Sequence, residues 1–67
     1  MVTITVNGEV EELDAGTTVT DLVARHRESP RGVAVARNEA VVPRSQWAAT
    51  ALADGDRIEI LTAAQGG

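Results

Sequence analysis

Few residues in this 67-residue chain have side chains equipped for catalysis. No cysteine is present, which removes thiolate nucleophiles, disulfides and cysteine zinc sites together. All six basic residues are arginines (Arg25, Arg27, Arg31, Arg37, Arg44 and Arg57), so no side chain offers an amine for Schiff-base or isopeptide chemistry. His26 is the single histidine. It falls on the apolar stripe of a predicted helix and reads as a helix-end, partly buried residue rather than a general base. Ser29 and Ser45 have no other histidine to activate them, so a serine triad is excluded. Asp54 and Asp56 flank Gly55 like a fragment of a calcium loop. The remaining ligands are missing, so a turn is expected there and no metal site. No phosphate-cradling glycine pattern occurs. Trp47, the only aromatic residue, reads first as a core anchor and second as a contact residue.

What remains is the segment Ala63-Ala64-Gln65-Gly66-Gly67. Glycine loses more conformational freedom on ordering than any other residue. A terminal pair is therefore useful where the backbone must enter a narrow space. Lacking Cβ atoms, Gly66 and Gly67 can thread a tunnel that any side chain would block. Five residues reach about 17 Å, so Ala64 and Gln65 would follow the glycines in and place the Gly67 carboxylate inside a partner's active site. A carboxylate is a poor electrophile. Conversion to an acyl-adenylate supplies a phosphate leaving group, and the carbon then accepts a sulfur or amine nucleophile. So short a chain has no machinery for ATP, and the activation falls to another protein.

The elements that would hold such a terminus are readable from the pattern. Val2, Ile4 and Val6 alternate with Thr3 and Thr5, a half-buried strand. Asn7-Gly8 is a hairpin turn, because both residues tolerate positive φ, and a second strand covers Glu9 to Leu13. A two-residue turn puts Val2 opposite Leu13 and Ile4 opposite Glu11. The second pairing is a mismatch that a bulge or longer loop would repair. Glu9, Glu11 and Glu12 read as a solvated face. Thr18 can cap a helix whose first turn holds Asp21. Val19, Leu22, Val23 and His26 then share one stripe, and Ser29-Pro30 ends the helix after about three turns. Val33 to Arg37 is a strand, Arg37-Asn38-Glu39 a turn, and Ala40 to Val42 a short partner stopped by Pro43. Arg44 to Ala53 is a loop with a helical turn. Asp54-Gly55-Asp56 turns sharply into a last strand, Arg57 to Thr62, with Ile58 and Ile60 on one face and Glu59 and Leu61 on the other. One α+β domain over residues 1–62, followed by a flexible tail 63–67, is the expected organisation: a mixed sheet of about five strands with one main helix across one face.

Ten acidic residues against six basic ones give a net charge of −4, which argues against a nucleic-acid partner. The N-terminal stretch lacks the basic flank and continuous apolar run of a signal peptide. No apolar run approaches the roughly 20 residues of a membrane helix. A cytoplasmic location with no membrane partner is expected.

Several segments at their spacings resemble the ThiS family, the sulfur carriers of thiamine biosynthesis. They are Val35-Ala36-Arg37-Asn38, then Val42-Pro43-Arg44 with Trp47, then Leu52-Ala53-Asp54-Gly55-Asp56-Arg57-Ile58-Glu59, and Gln65-Gly66-Gly67. Asn7 and the Ala15-Gly16-Thr17-Thr18-Val19 approach to the helix also fit. The resemblance implies a β-grasp, ubiquitin-like fold in which the last strand lies centrally beside the first. It implies a carrier rather than an enzyme, with no bound cofactor. An adenylyltransferase related to ubiquitin-activating enzymes would use ATP and magnesium on the Gly67 carboxylate. A sulfur donor system, a persulfide or a cysteine desulfurase, would convert the adenylate to a thiocarboxylate. Thiazole synthase would then take the sulfur. Leu61, with Val41 or Arg44 nearby, is the expected contact for the activating enzyme, since an exposed apolar residue leads directly into the tail. Alternatives are the small subunit of molybdopterin synthase, with the same chemistry, a ubiquitin-like modifier joined to proteins, and a bare interaction module.

Overall fold

The computed structural model describes residues 1–62. The expected tail, with Ala64, Gln65, Gly66 and Gly67, lies outside the described residues. Five strands form one sheet: β1 (Val2–Val6), β2 (Glu9–Leu13), β3 (Val33–Arg37), β4 (Ala40–Val42) and β5 (Arg57–Thr62). A helix, α1 (Val19–His26), and a 3₁₀ segment at Arg44–Ala49 complete the elements among the described residues. The strand order is β2-β1-β5-β3-β4. The last strand therefore lies in the centre, parallel to β1 and antiparallel to β3.

The β1–β2 hairpin keeps its two-residue turn, with Asn7 at φ 51° and Gly8 at φ 88°. Both values are positive, as the hairpin turn that matches strand twist requires. No bulge intervenes: Val2 faces Leu13 and Ile4 faces Glu11. Glu11 thus lies on the core side of the sheet, and the reading of Glu9, Glu11 and Glu12 as one solvated face is corrected at this residue. The position is tolerable because the end of α1 meets it there. The Glu11 Oε2 lies 2.6 Å from His26 Nε2, with the two side chains 25% and 32% exposed. The register that seemed to need repair is satisfied by a partner from another element.

The helix begins as its sequence dictates. Thr18 Oγ1 accepts from the Asp21 N–H and Asp21 Oδ2 accepts from the Thr18 N–H, a reciprocal capping box. It is shorter than expected, closer to two turns than three. Arg27 already has extended dihedrals (φ −138°, ψ 144°) while its N–H still closes onto the Val23 carbonyl. The helix therefore stops before Ser29-Pro30 is reached. A second two-residue turn, Asn38-Glu39, joins β3 to β4, again with positive φ at both residues (52° and 74°).

Ile4, Val6, Leu13, Val19, Leu22, Val23, Val35, Trp47, Leu52, Ile58 and Ile60 form a single core between the sheet and α1. Trp47 is the anchor the sequence suggested. It is buried, and its Nε1–H donates to the Val42 carbonyl at 2.9 Å. That bond ties the 3₁₀ segment to the end of β4. Among the described residues no helix is long and apolar enough to cross a membrane.

Candidate functional site

Among the described residues the candidate site is β5 and the open sheet face beside it, the strand that precedes the expected tail. Alternation along β5 buries Ile58 and Ile60 under α1 and turns Arg57, Glu59 and Leu61 to the open face. Leu61 lies opposite Ala34. Glu59 lies opposite Ala36, which in turn lies opposite Val41. Leu61 and Val41 are both well exposed, at 58% and 75%, and flank a floor made by the two small alanines. The arrangement is a shallow apolar patch bordered by the charges of Glu59 and Arg57. Val10 is exposed on the same face, separated from the patch by Thr5 and Arg57.

Of the three expected contact residues, Leu61 and Val41 share this face. Arg44 is turned elsewhere: its guanidinium carbon lies 5.8 Å from the centroid of the Trp47 ring, within cation–π range. That ring belongs to the core on the helix side of the sheet.

The β1–β5 contact is longer than its two ladder pairs, because side chains extend it at both ends. At the start, the Gly55 N–H donates to the Thr3 carbonyl and the Thr3 N–H donates to Asp54 Oδ1, each at 2.7 Å. At the far end, the Asn7 side chain grips Ile60 twice. Its Oδ1 accepts from the Ile60 N–H at 2.9 Å and its Nδ2 donates to the Ile60 carbonyl at 3.2 Å.

Asp56 is the second feature that sequence reading missed. It is the one buried charged residue among those described, 6% exposed, and it joins three segments. Its carboxylate accepts from Arg37 Nε (2.8 Å), Asn38 Nδ2 (3.0 Å) and the Ala53 N–H (2.8 Å). Burial pushes its carboxyl up. The Ala53 amide, the Asn38 amide and the Arg37 guanidinium together outweigh that and hold the carboxyl below its ordinary value of 3.8. Asn38 also accepts the Arg57 N–H through Oδ1. One turn thereby fixes both the loop before β5 and its first residue. The signal was present in the two Asn-bearing turns, but they were read only as turns, not for the hydrogen bonds their amides make.

Catalytic equipment is sparse. Among the described residues no group of His, Cys, Asp or Glu side chains is arranged to hold a metal ion. A groove of about 260 Å³ lies between α1 and the 3₁₀ segment, lined chiefly by Val23, Ala24, Arg27, Pro30 and Trp47. It is smaller than the usual small-molecule cleft of roughly 300–1,000 Å³ and lies on the helix side, away from the open sheet face.

A mixed five-stranded sheet of this order, crossed by one helix and ending in a central strand, defines a ubiquitin-like β-grasp domain. The chain is a member of the ThiS family, whose model matches residues 4–67. It is 36% identical over 61 residues to the sulfur carrier protein ThiS of Escherichia coli K12, covering 91% of this chain and 92% of that one. It is also 39% identical over 64 residues to a thiazole synthase of Paramagnetospirillum magneticum and 41% identical to one of Magnetococcus marinus. The chain spans about a fifth of the length of these thiazole synthases, 20% in each case. The crystal structure of a thiamine biosynthesis protein (ThiS) from Geobacter metallireducens superposes with a TM-score of 0.79 at 33% identity, covering 98% of this chain and 100% of that one.

Proposed function

We propose that this protein is a sulfur carrier in thiamine biosynthesis, loaded and unloaded at the Gly67 carboxylate. The observation that carries the reading is the family match through residue 67, joined to 36% identity with a sulfur carrier that the chain covers almost end to end. An ATP- and magnesium-dependent adenylyltransferase of the ubiquitin-activating kind transfers AMP to the Gly67 carboxylate and releases pyrophosphate. A persulfide or other sulfur donor displaces AMP, and reduction of the resulting acyl disulfide by a thiol leaves the thiocarboxylate. The thiocarboxylate is a soft nucleophile at neutral pH, and it hands its sulfur to thiazole synthase. Thiazole synthases that contain a segment similar to this whole chain support that acceptor.

In this scheme the partners hold the catalytic groups and the present chain is their co-substrate. Gly66, Gln65 and Ala64 enter the partner's site ahead of the domain. The apolar patch of Leu61 and Val41 docks on the activating enzyme, without Arg44, which is turned to the Trp47 ring. The protein works in the cytoplasm, where ATP and the partners are found.

Intact-mass measurement tests the reading. The chain is incubated with ATP, magnesium, a sulfur source and the activating enzyme of its own host, beside a version lacking Gly67. The expected result is a mass gain equal to the replacement of one oxygen by sulfur, absent from the shortened chain. No gain with an enzyme shown to be active would overturn it.

A further inference from the structure

The Asn7 side chain does something the turn it sits in does not require. A parallel ladder alternates: a residue of one strand donates to the neighbour and accepts from the residue two further along it. On β1 the Thr5 N–H donates to the Asp56 carbonyl and the Asn7 N–H to the Ile58 carbonyl. The next bonds in that series would bring the Ile60 N–H to the Asn7 carbonyl and the Ile60 carbonyl to an N–H two residues on. By then β1 has ended, because Asn7 has turned to φ 51°. The Asn7 carboxamide supplies both missing groups, Oδ1 as the acceptor and Nδ2 as the donor. One side chain stands in for a further peptide unit of β1.

The consequence falls on the end of β5. Without the carboxamide, both main-chain groups of Ile60 would lack a partner on the β1 side. The last held position would retreat to Ile58, and Ile60, Leu61 and Thr62 would depend on β3 alone. We propose that Asn7 is a positioning residue for the terminal carboxylate: by clamping Ile60 it fixes the end of β5, and through it the presentation of Gly67 to the activating enzyme. This rests on the carrier reading above, and the experiment separates the two.

The parent chain, Asn7→Gly and Asn7→Asp are compared. Glycine keeps the positive φ and removes both bonds, while aspartate keeps the acceptor and loses the donor. Gly8→Ala serves as a control, since it strains the same turn at φ 88° without touching Ile60. Amide hydrogen exchange at Ile60 is followed by NMR. Initial rates of sulfur loading are followed by intact mass over a range of carrier concentrations, well below each melting temperature. In Asn7→Gly, exchange at Ile60 rises about tenfold, as loss of two ordinary hydrogen bonds implies. Its kcat/KM for loading falls about threefold or more, as expected for a poorly oriented reacting group. Asn7→Asp falls between, and Gly8→Ala loses stability but loads like the parent. Should Asn7→Gly not fold, Asn7→Asp decides by the same two readouts. Unchanged exchange at Ile60 in a folded variant, or a parent-like kcat/KM despite faster exchange, overturns the proposal. A parent chain that does not load at all overturns the carrier reading instead, and exchange still decides whether Asn7 clamps the strand.

Discussion

Replacing Asp56 with asparagine is a near-isosteric change with a calculable result. The carboxylate has three donors around it: Arg37 Nε and the Ala53 N–H on Oδ2, and Asn38 Nδ2 on Oδ1. An amide oriented with its nitrogen toward Arg37 and Ala53 would set a donor against two donors. The better orientation points its nitrogen at Asn38, losing that one bond. Asn38 cannot rotate to compensate, because its Oδ1 already accepts the Arg57 N–H at 2.8 Å. The lost bond and the opposed donors cost about 1–3 kcal/mol. Weakening the Arg37 contact from charge-assisted to neutral adds about 1 kcal/mol. The sum is roughly 2–4 kcal/mol, a large share of the roughly 3–10 kcal/mol expected for a domain of this size. The melting temperature should fall by on the order of 10–30 °C, and urea unfolding followed by Trp47 fluorescence measures the same loss. The pH dependence has a definite sign. The folded carboxyl lies below its ordinary value of 3.8, so between the two values the unfolded chain binds more protons than the folded one. The Asp56 contribution is therefore fully present at pH above about 5 and is lost as pH falls through the lowered folded value. The difference between parent and Asp56→Asn should shrink in that acid range. A variant within about 0.5 kcal/mol of the parent at neutral pH, the usual range for an inconsequential surface change, would refute the assignment of Asp56 as the hub of this end of the sheet.

Two further substitutions probe the site and its support. Leu61→Glu alters a well-exposed residue of the open face, so its melting temperature should stay within a few degrees of the parent. Its kcat/KM for sulfur loading should fall about tenfold or more if the patch is a docking centre, and parent-like loading kinetics would remove the patch from the interface. Trp47→Phe deletes the donor to the Val42 carbonyl and should destabilise the fold by about 1–3 kcal/mol in urea unfolding followed by circular dichroism. No change would mean that the 3₁₀ segment is held by packing alone.

Periodicity and turn chemistry made every strand and the helix start legible. Alternation located β1 and β5, the positive-φ pair Asn7-Gly8 located the first hairpin, and Arg37-Asn38-Glu39 was read as the turn of the second. The Thr18–Asp21 spacing located the capping box, which the structure builds with both bonds. These are local signals, and each is written within a few residues. The central place of β5 came from the resemblance, since nothing local distinguishes a central strand from an edge strand of this length. The residues whose side-chain roles went unread share one property: their partners are remote in sequence. Glu11 meets His26 across the core, Asp56 meets Arg37 and Asn38, and Asn7 meets Ile60. A turn residue's dihedral preference says nothing about where its amide points once the chain has folded. The open face was legible to the extent that Leu61 alternates away from the isoleucines. Its grouping with Val41 over Ala34 and Ala36 depended on the register of three strands.

The position of β5 gives these separate features a common effect. A terminus that must be ordered in another protein's site loses about 1–2 kcal/mol of backbone entropy for each residue fixed there. Every residue that the domain already holds is one whose ordering docking need not supply. β5 is held from both sides: by β3 along its length, and by β1 from the Asp56 loop up to Ile60 through the Asn7 carboxamide. Release of Leu61 and Thr62 alone would add about 2–4 kcal/mol to the ordering required on docking, a factor of roughly 30 to nearly 1,000 in affinity. An amide at the hairpin turn and a buried carboxylate at the loop before β5 therefore act on the same quantity from opposite ends of one strand. Loss of either should weaken presentation of the terminus by an amount set by how many residues of β5 it frees.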